Sequence, residues 1–270
     1  MGLQTLDRAV AVLRELAAAG DDGLRLVDLQ HRLRLTKPTA HRLLSSLVAH
    51  GLVGQGGESR RYRLGHELAV LGWSVSDRQQ DLHRAVAHSA SALAEETGDT
   101  VVVVARSGFD TVCIDRRTGA YPIKALTVDI GTRRPMGVGA GSLSMLGMLP
   151  PQESDSILQA VAERLPAHTR ASMAQIRAAV RVARDAGFAV SNGYVTERVR
   201  AIAVAIRDLR GDASVSLGIA AIESRIPERR IPQLVNALQR ERARVETRIR
   251  SGSPPRPDPS ERRAGHAVTR

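Results

Sequence analysis

Residues 35–53, LTKPTAHRLLSSLVAHGLV, constrain this chain more than any other stretch. Thr36 sits where it can cap a helix, Pro38 suits that helix's first turn, and Gly51 suits its end. Ala40, Leu43, Leu44, Leu47 and Val48 recur at helical spacing, so they share one face and require a core. Thr39, Arg42, Ser45 and Ser46 then point outward, giving a face with several donors and few acids. Leu24, Leu26, Leu29 and Leu33 supply the contacts of a preceding helix, and the three residues between Leu33 and Lys37 are turn spacing for a helix-turn-helix. Leu6, Val10, Leu13 and Leu16 predict a third helix behind the pair, with Thr5 or Asp7 as its cap. Leu52 and Val53, then GQGGES, then RRYRLG read as strand, glycine-rich turn and strand. The expected unit is a winged helix-turn-helix over residues 1–64, the shape that places a helix in the major groove of duplex DNA.

A chain of 270 residues is too long for that unit alone; about 60 residues of reader leave roughly 170 for a second core. No apolar run approaches the roughly 20 residues of a membrane span, and the start lacks a signal-peptide pattern. The expectation is a cytoplasmic protein with no membrane association. A single cysteine, Cys113, excludes an internal disulfide and a multi-cysteine zinc site. Aromatic residues make up only 2% of the chain, which argues against stacking on unpaired bases. Charge is uneven: Lys and Arg outnumber Asp and Glu by 10 to 6 over residues 1–66 and by 12 to 5 over 224–270, while 67–223 carry 17 of each. A basic reader fits phosphate neutralisation. The segment after 250, SGSPPRPDPSERRAGHAVTR, cannot bury a core and is expected to be a disordered, solvated tail.

Residues 65–80 place Leu68, Leu71 and Val75 on one helical stripe near Trp73, an expected linker helix that either packs on its own domain or pairs with a second copy. Residues 81–250 show a mixed pattern. A helix to about Thr97 precedes strands TVVVVAR and DTVCIDRR, a short strand near YPIKAL and a glycine-rich turn opening a helix at 138–149. Helices follow at about 151–164 and 172–186, then a hairpin over 200–222 and a helix carrying Leu234, Val235, Leu238, Val245 and Ile249 on one side. The expected class is α+β with a mainly antiparallel sheet. In the hairpin, Ile202, Val204 and Ile206 oppose Ala201, Ala203 and Ala205, and Val215, Leu217 and Ile219 oppose Ser214, Ser216, Gly218 and Ala220. The small-residue face either lets a helix approach closely or leaves room for a ligand.

These blocks together resemble the IclR family of transcriptional regulators over residues 3–247. The resemblance rests on LDRAVAVL, LTKPTAHRLLSSLVAHGLV and RRYRLG in the reader, and on EETGDTVVVVARSG, VCIDRR, GTRRPMGVGAGSLSML, AGFAVSNG and RAIAVAIRD beyond it. It implies a GAF-like second domain that binds a small organic-acid effector, a double-stranded DNA operator as partner, and a homodimer, often paired into a tetramer. It places Lys37, Thr39, His41 and Arg42 on the groove-facing helix, beside the outward Ser45, and Arg60, Arg61 and Arg63 in the wing. It places the effector at Gly139, Ala140, Ser191, Ala201, Gly218 and Ala220, and Arg133 is the candidate anchor for an acid. Relatives often carry hydroxyls or thiols where this chain has Ala201, Gly218 and Ala220, so fewer side-chain donors await a carboxylate. Val27 stands where relatives often carry a capping Thr or Ser, and Arg34 where they often carry Gly. The first departure predicts a frayed second helix.

Other motifs carry less. Gly137–Gly141 lacks the full glycine spacing of a dinucleotide fingerprint. The eight histidines are scattered, so no metal site is expected. No nucleophile-elbow pattern orders Ser, His and Asp, and no cofactor is implied. Two alternatives stay open at this level: a GAF-like enzyme using Cys113, and a non-specific architectural DNA binder.

Overall fold

The computed structural model describes residues 4–56, 59–74, 77–209 and 211–251. Val75, residues 57 and 58 of the expected glycine-rich turn, the side chains of residues 73–81 and the expected tail lie outside what is described. The chain divides into two compact units, Met1–Asp77 and Arg78–Arg270.

In the first unit, α1 (Gln4–Ala19), α2 (Leu26–Leu33) and α3 (Lys37–Ala49) precede a hairpin of β1 (Val53–Gln55) and β2 (Tyr62–Leu64), and α4 (Glu67–Ser74) follows. The core joins Val12, Leu16, Leu29, Leu44, Leu47 and Val53. Two residues expected in it are outside: Leu6 is 59% exposed and Val48 39%. Around α1 the buried stripe centres on Val12 and Leu16, roughly 100° from Leu6, and Val48 lies a similar angle from the centre of the α3 stripe. Gly51, at φ 67°, ends α3 in a turn where Leu52 N–H donates to Leu47 O at 2.9 Å.

The caps depart from the sequence expectation. Thr36 is the N-cap of α3, but its hydroxyl meets Thr39 Oγ1 at 2.9 Å and makes no cap bond to the backbone. Val27 lies inside α2; the N-cap is Arg25, whose N–H donates to Asp28 Oδ2 at 2.9 Å. Asp28 thus bonds the N-cap amide from the first turn, and its negative charge sits at the helix start, where it is favourable. Arg34 adopts φ 51° at the C-cap, the left-handed conformation that glycine accepts most easily.

The second unit holds one antiparallel six-stranded sheet, and its strands are β3 (Thr100–Ser107), β4 (Asp110–Thr118), β5 (Arg133–Pro135), β6 (Ala189–Asn192), β7 (Val199–Arg207) and β8 (Ala213–Ile222). Their order is β5-β4-β3-β8-β7-β6. One face packs against α5 (Asp77–Thr97) and α9 (Ile231–Ser251), burying Val101, Val103, Ile202, Val204, Ile206, Leu217 and Ile219 with Leu234, Leu238, Val245 and Ile249. The other carries α6 (Gly139–Met148), behind which α7 (Pro151–Val161) and α8 (Met173–Ala186) complete a second core. The bulky and small hairpin faces read from the sequence thus meet different helix layers.

No strand forms near Tyr121–Ala125; Ile123 is 55% exposed, and the edge strand is β5 instead. Side-chain bonds to carbonyls hold this segment in place of a ladder. Lys124 Nζ donates to Gly119 O, Arg116 Nη1 to Val128 O at 2.7 Å, and Arg134 Nη2 to Thr127 O at 2.8 Å. The start of β3 is pinned by a buried carboxylate: the Asp99 side chain, 1% exposed, accepts from Arg225 Nε at 3.1 Å and Arg230 Nη1 at 2.7 Å.

Candidate functional site

Helix α3 presents Lys37, His41, Arg42 and Ser45 exposed and Thr39 half-buried, on the face away from Leu43, Leu44 and Leu47. Ser45 Oγ lies 3.5 Å from His41 Nδ1, one helical turn away. In the wing Arg60 is exposed, whereas its two neighbours are engaged by the protein itself. Arg61 Nη1 donates to Gly23 O at 2.9 Å, and Arg63 Nε donates to Asp21 O at 2.5 Å. Those bonds tie the wing to the loop before α2, with Leu24 and Tyr62 exchanging backbone bonds at 3.0 and 2.7 Å. Arg61 and Arg63 therefore have a bracing role that the sequence did not reveal.

In the second unit the small-residue face is split. Cross-strand pairing makes three rows: Ala205, Ser216 and Val104; Ala203, Gly218 and Val102; and Ser191, Ala201 and Ala220. Helix α6 sits on the first row so closely that a Cβ on Gly141 would fall 2.7 Å from Val104 Cγ2 and 3.1 Å from Ser216 Oγ. Ser144 Oγ reaches Ser216 Oγ at 3.2 Å on the same contact. Over the other two rows the chain leaves a cavity of about 100 Å³, bordered by Gly139–Ser142, by Thr127, Val128 and Thr132, and by Thr111, Cys113 and Arg134. Gly139, Ala140, Ser191, Ala201, Gly218 and Ala220 all line it; Arg133 does not.

Strand alternation explains the exchange of arginines. On β5, Arg134 pairs opposite Thr111 and shares its face, while Arg133 pairs opposite Val112. Arg133 Nη1 instead stands 3.8 Å from Asp110 Oδ2, a carboxylate that also holds Arg164 at 2.6 Å. Arg134 is the one charged side chain among the residues described around the cavity. Burial lowers its pKa, yet a guanidinium stays protonated at any physiological pH. Beside it the first turn of α6 has no side-chain cap, so the amides of its opening residues are available to an acceptor in the cavity. The hydroxyl residues Thr111, Thr127, Thr132, Ser142, Ser191 and Thr196 complete the polar part of the lining. Sequence reasoning missed Arg134 and the 127–132 segment, because neither the face of a three-residue strand nor the path of an irregular loop has a periodic signal.

Cys113 also borders the cavity, its Sγ donating to Asp115 O at 3.6 Å. Burial, opposed in part by Arg116, pushes its thiol up to about 11, which keeps it neutral and poorly nucleophilic at pH 7. This is the wrong state for the enzymatic alternative. His168, which is exposed, has its pKa lowered from 6.5 by partial desolvation and by the nearby Arg134 and Arg164.

Residues 5–57 match the IclR helix-turn-helix domain, and residues 76–246 match the bacterial transcriptional regulator IclR C-terminal domain. The chain belongs to the IclR family. It is 30% identical over 241 residues to the glycerol operon regulatory protein of Streptomyces coelicolor, covering 88% of this chain and 92% of that protein. An IclR transcriptional regulator from Silicibacter sp. TM1040 superposes with a TM-score of 0.75 at 25% identity, over 93% of this chain and 98% of that one. An IclR homolog from Microbacterium hydrocarbonoxydans, solved with 4-hydroxybenzoate, superposes with a TM-score of 0.69 at 19% identity, over 92% and 99% of the two chains. This IclR-family chain is a DNA-binding transcriptional regulator and not an enzyme, as the names of its relatives agree. Among the described residues no helix is long and apolar enough to cross a membrane.

Proposed function

We propose that this regulator binds a specific operator and that a compact aliphatic monocarboxylate, held in the cavity beside α6, sets its affinity for that operator. The observation that carries the reading is Arg134, one guanidinium set in an otherwise uncharged cavity next to the uncapped start of α6. One cation and a set of amides complement one carboxylate. The wall behind them is aliphatic, from Val102, Val104, Ala201, Ala203 and Ala220. The volume of about 100 Å³ is below the roughly 150 Å³ of an apolar cavity that accepts benzene, which favours a short acid over an aromatic one such as 4-hydroxybenzoate.

The reader engages duplex DNA through the outer face of α3, with Arg42 and Ser45 toward base edges, Lys37, Thr39 and His41 beside them, and Arg60 at the backbone. Two readers act together. Leu71 on α4 is 51% exposed and Leu68 half-buried, which supports a homodimer formed along this linker helix and matched to paired half-sites. Ligand binding in residues 81–250 changes the spacing of the readers, a coupling for which about 1–3 kcal/mol is typical.

The test is a thermal-shift series with propionate, butyrate, isobutyrate and 4-hydroxybenzoate on the full chain, followed by binding to DNA upstream of its own and adjacent genes. The short acids should raise the melting temperature and change the affinity for that DNA. No shift with any acid, or an equal shift in Arg134→Gln, rejects the cavity as the sensor. Equal affinity for the upstream DNA and for random duplex at fixed salt rejects operator specificity.

A further inference from the structure

The far end of α6 borders a second cavity, of about 590 Å³, that shares no lining residue with the first. Its walls are the last turn of α6, the start of α7, the end of α8, the end of β7 and the middle of α9. Arg184, Arg207 and Arg242 line it, and among the described residues no Asp or Glu does. Three cations facing one cavity repel one another, so their convergence calls for a counter-charge.

The fold fixes where each arginine springs from, and Arg207 Nη1 also donates to Gly211 O at 2.9 Å in the turn that follows β7. Arg207 follows a register shift between β7 and β8 at Ile206 and Arg207, an irregularity of the kind that re-aims a side chain. Its N–H donates to Glu246 Oε1 at 3.2 Å, and the same oxygen accepts from Arg242 Nε at 3.0 Å. Glu246 thus ties the two arginine positions together from outside the lining. Arg184 comes from the α8 helix, which presses on α6 so closely that a Cβ on Gly147 would lie 2.9 Å from Arg184 N. Its Nη2 makes only long bonds, 3.4 Å to Leu149 O and 3.3 Å to Ser154 Oγ, and its Nε is buried with no hydrogen-bond partner. A guanidinium carries five N–H donors, and a buried one without an acceptor is unfavourable until something supplies it.

We propose that this cavity is a second ligand site, for a small molecule carrying two negative charges, either a dicarboxylate or a phosphate ester. Three guanidiniums border this cavity and, among the described residues, Glu246 is the carboxylate bonded to one of them, Arg242, whereas the first cavity offers a single cation. Arginine forks bind carboxylate and phosphate oxygens in pairs, which suits both sources. Because α6 lines both cavities, the second ligand acts on the helix that also borders the first.

Calorimetric titration of the full chain with inorganic phosphate and with succinate tests the site, against chloride at matched ionic strength. The expected result is saturable binding of one or both dianions, weakened at least tenfold by Arg207→Gln and by Arg242→Gln and unchanged by Ala220→Leu, which fills the first cavity. Phosphate binding alone identifies a phosphate ester as the class, succinate binding alone a dicarboxylate. Absence of saturable binding by both overturns the proposal. So does binding that survives in a variant combining Arg207→Gln and Arg242→Gln, which would place the anion on the basic reader, or binding lost in Ala220→Leu, which would place it in the first cavity. Arg207 is exposed, so its replacement keeps the fold and remains informative even if unfolding in chloride shows that Arg242→Gln does not. Failure here leaves the monocarboxylate reading intact, since that reading rests on Arg134.

Discussion

The two ends of one β-sheet face carry nearly the same small side chains and meet opposite fates. At Ala205 and Ser216 the face is covered by α6, with Gly141 against Val104 and Ser216. At Ala201, Ala203, Gly218 and Ala220, two to four residues along the same strands, it is left hollow. Small residues permit either outcome. What separates them is where α6 begins: its first turn stops over the sheet at Gly139, and the chain returns to close the remainder only through the irregular segment around Thr127–Thr132. The packed end sets the height of the helix, and the hollow end inherits that height as a cavity.

Substitutions separate the ends, and the largest effect is expected at the cavity's charge. Arg134→Gln should weaken binding of a short carboxylate roughly 100-fold, about the energy of a lost charged hydrogen bond in a buried site, without lowering operator affinity of the ligand-free protein. Titration calorimetry and DNA binding by the same preparation measure both. Next, Gly141→Ala at the packed end should destabilise the second unit by about 2 kcal/mol, because the added methyl overlaps Val104 and the strands cannot retreat. Ala220→Leu at the hollow end should shift stability by less than about 1 kcal/mol while abolishing the carboxylate-induced rise in melting temperature. Denaturant unfolding of the two variants side by side decides the comparison; equal destabilisation would mean that the ends do not differ.

The smallest effect is a pH dependence. His168 has a folded pKa below its ordinary 6.5, so as pH falls the unfolded chain takes up this proton first. Its contribution is therefore complete above pH 6.5 and is lost as pH drops below that value. His168→Gln should flatten the decline in unfolding midpoint as pH falls through and below 6.5, and an unchanged slope would assign the decline to other groups.

Legibility followed how far each feature depends on its own neighbours along the chain. The helix pair of the reader, the amphipathic α9 and the two-faced β7–β8 hairpin were read from periodicity, because one buried stripe repeats at the period of its element. Short edge strands were not. β5 has three residues and β6 four, too few to show alternation, and the segment Tyr121–Ala125 imitated a strand that never pairs. Caps were intermediate: Thr36 holds the predicted position, yet its hydroxyl bonds to Thr39, and at the start of α2 Asp28 bonds the N-cap amide, a contact the sequence reading did not include.

By itself, the sequence determined that this chain builds a basic helix-turn-helix reader and a separate α+β domain, and that one sheet face is lined by small residues. These follow from local spacing and charge. Only the tertiary structure decided that Arg134, and not its neighbour Arg133, borders the cavity, and that Arg61 and Arg63 brace the wing. Each of those outcomes depends on which way a side chain points and on which distant carbonyl, carboxylate or void it meets. Such contacts arise between residues far apart along the chain, and no repeat in the sequence records them.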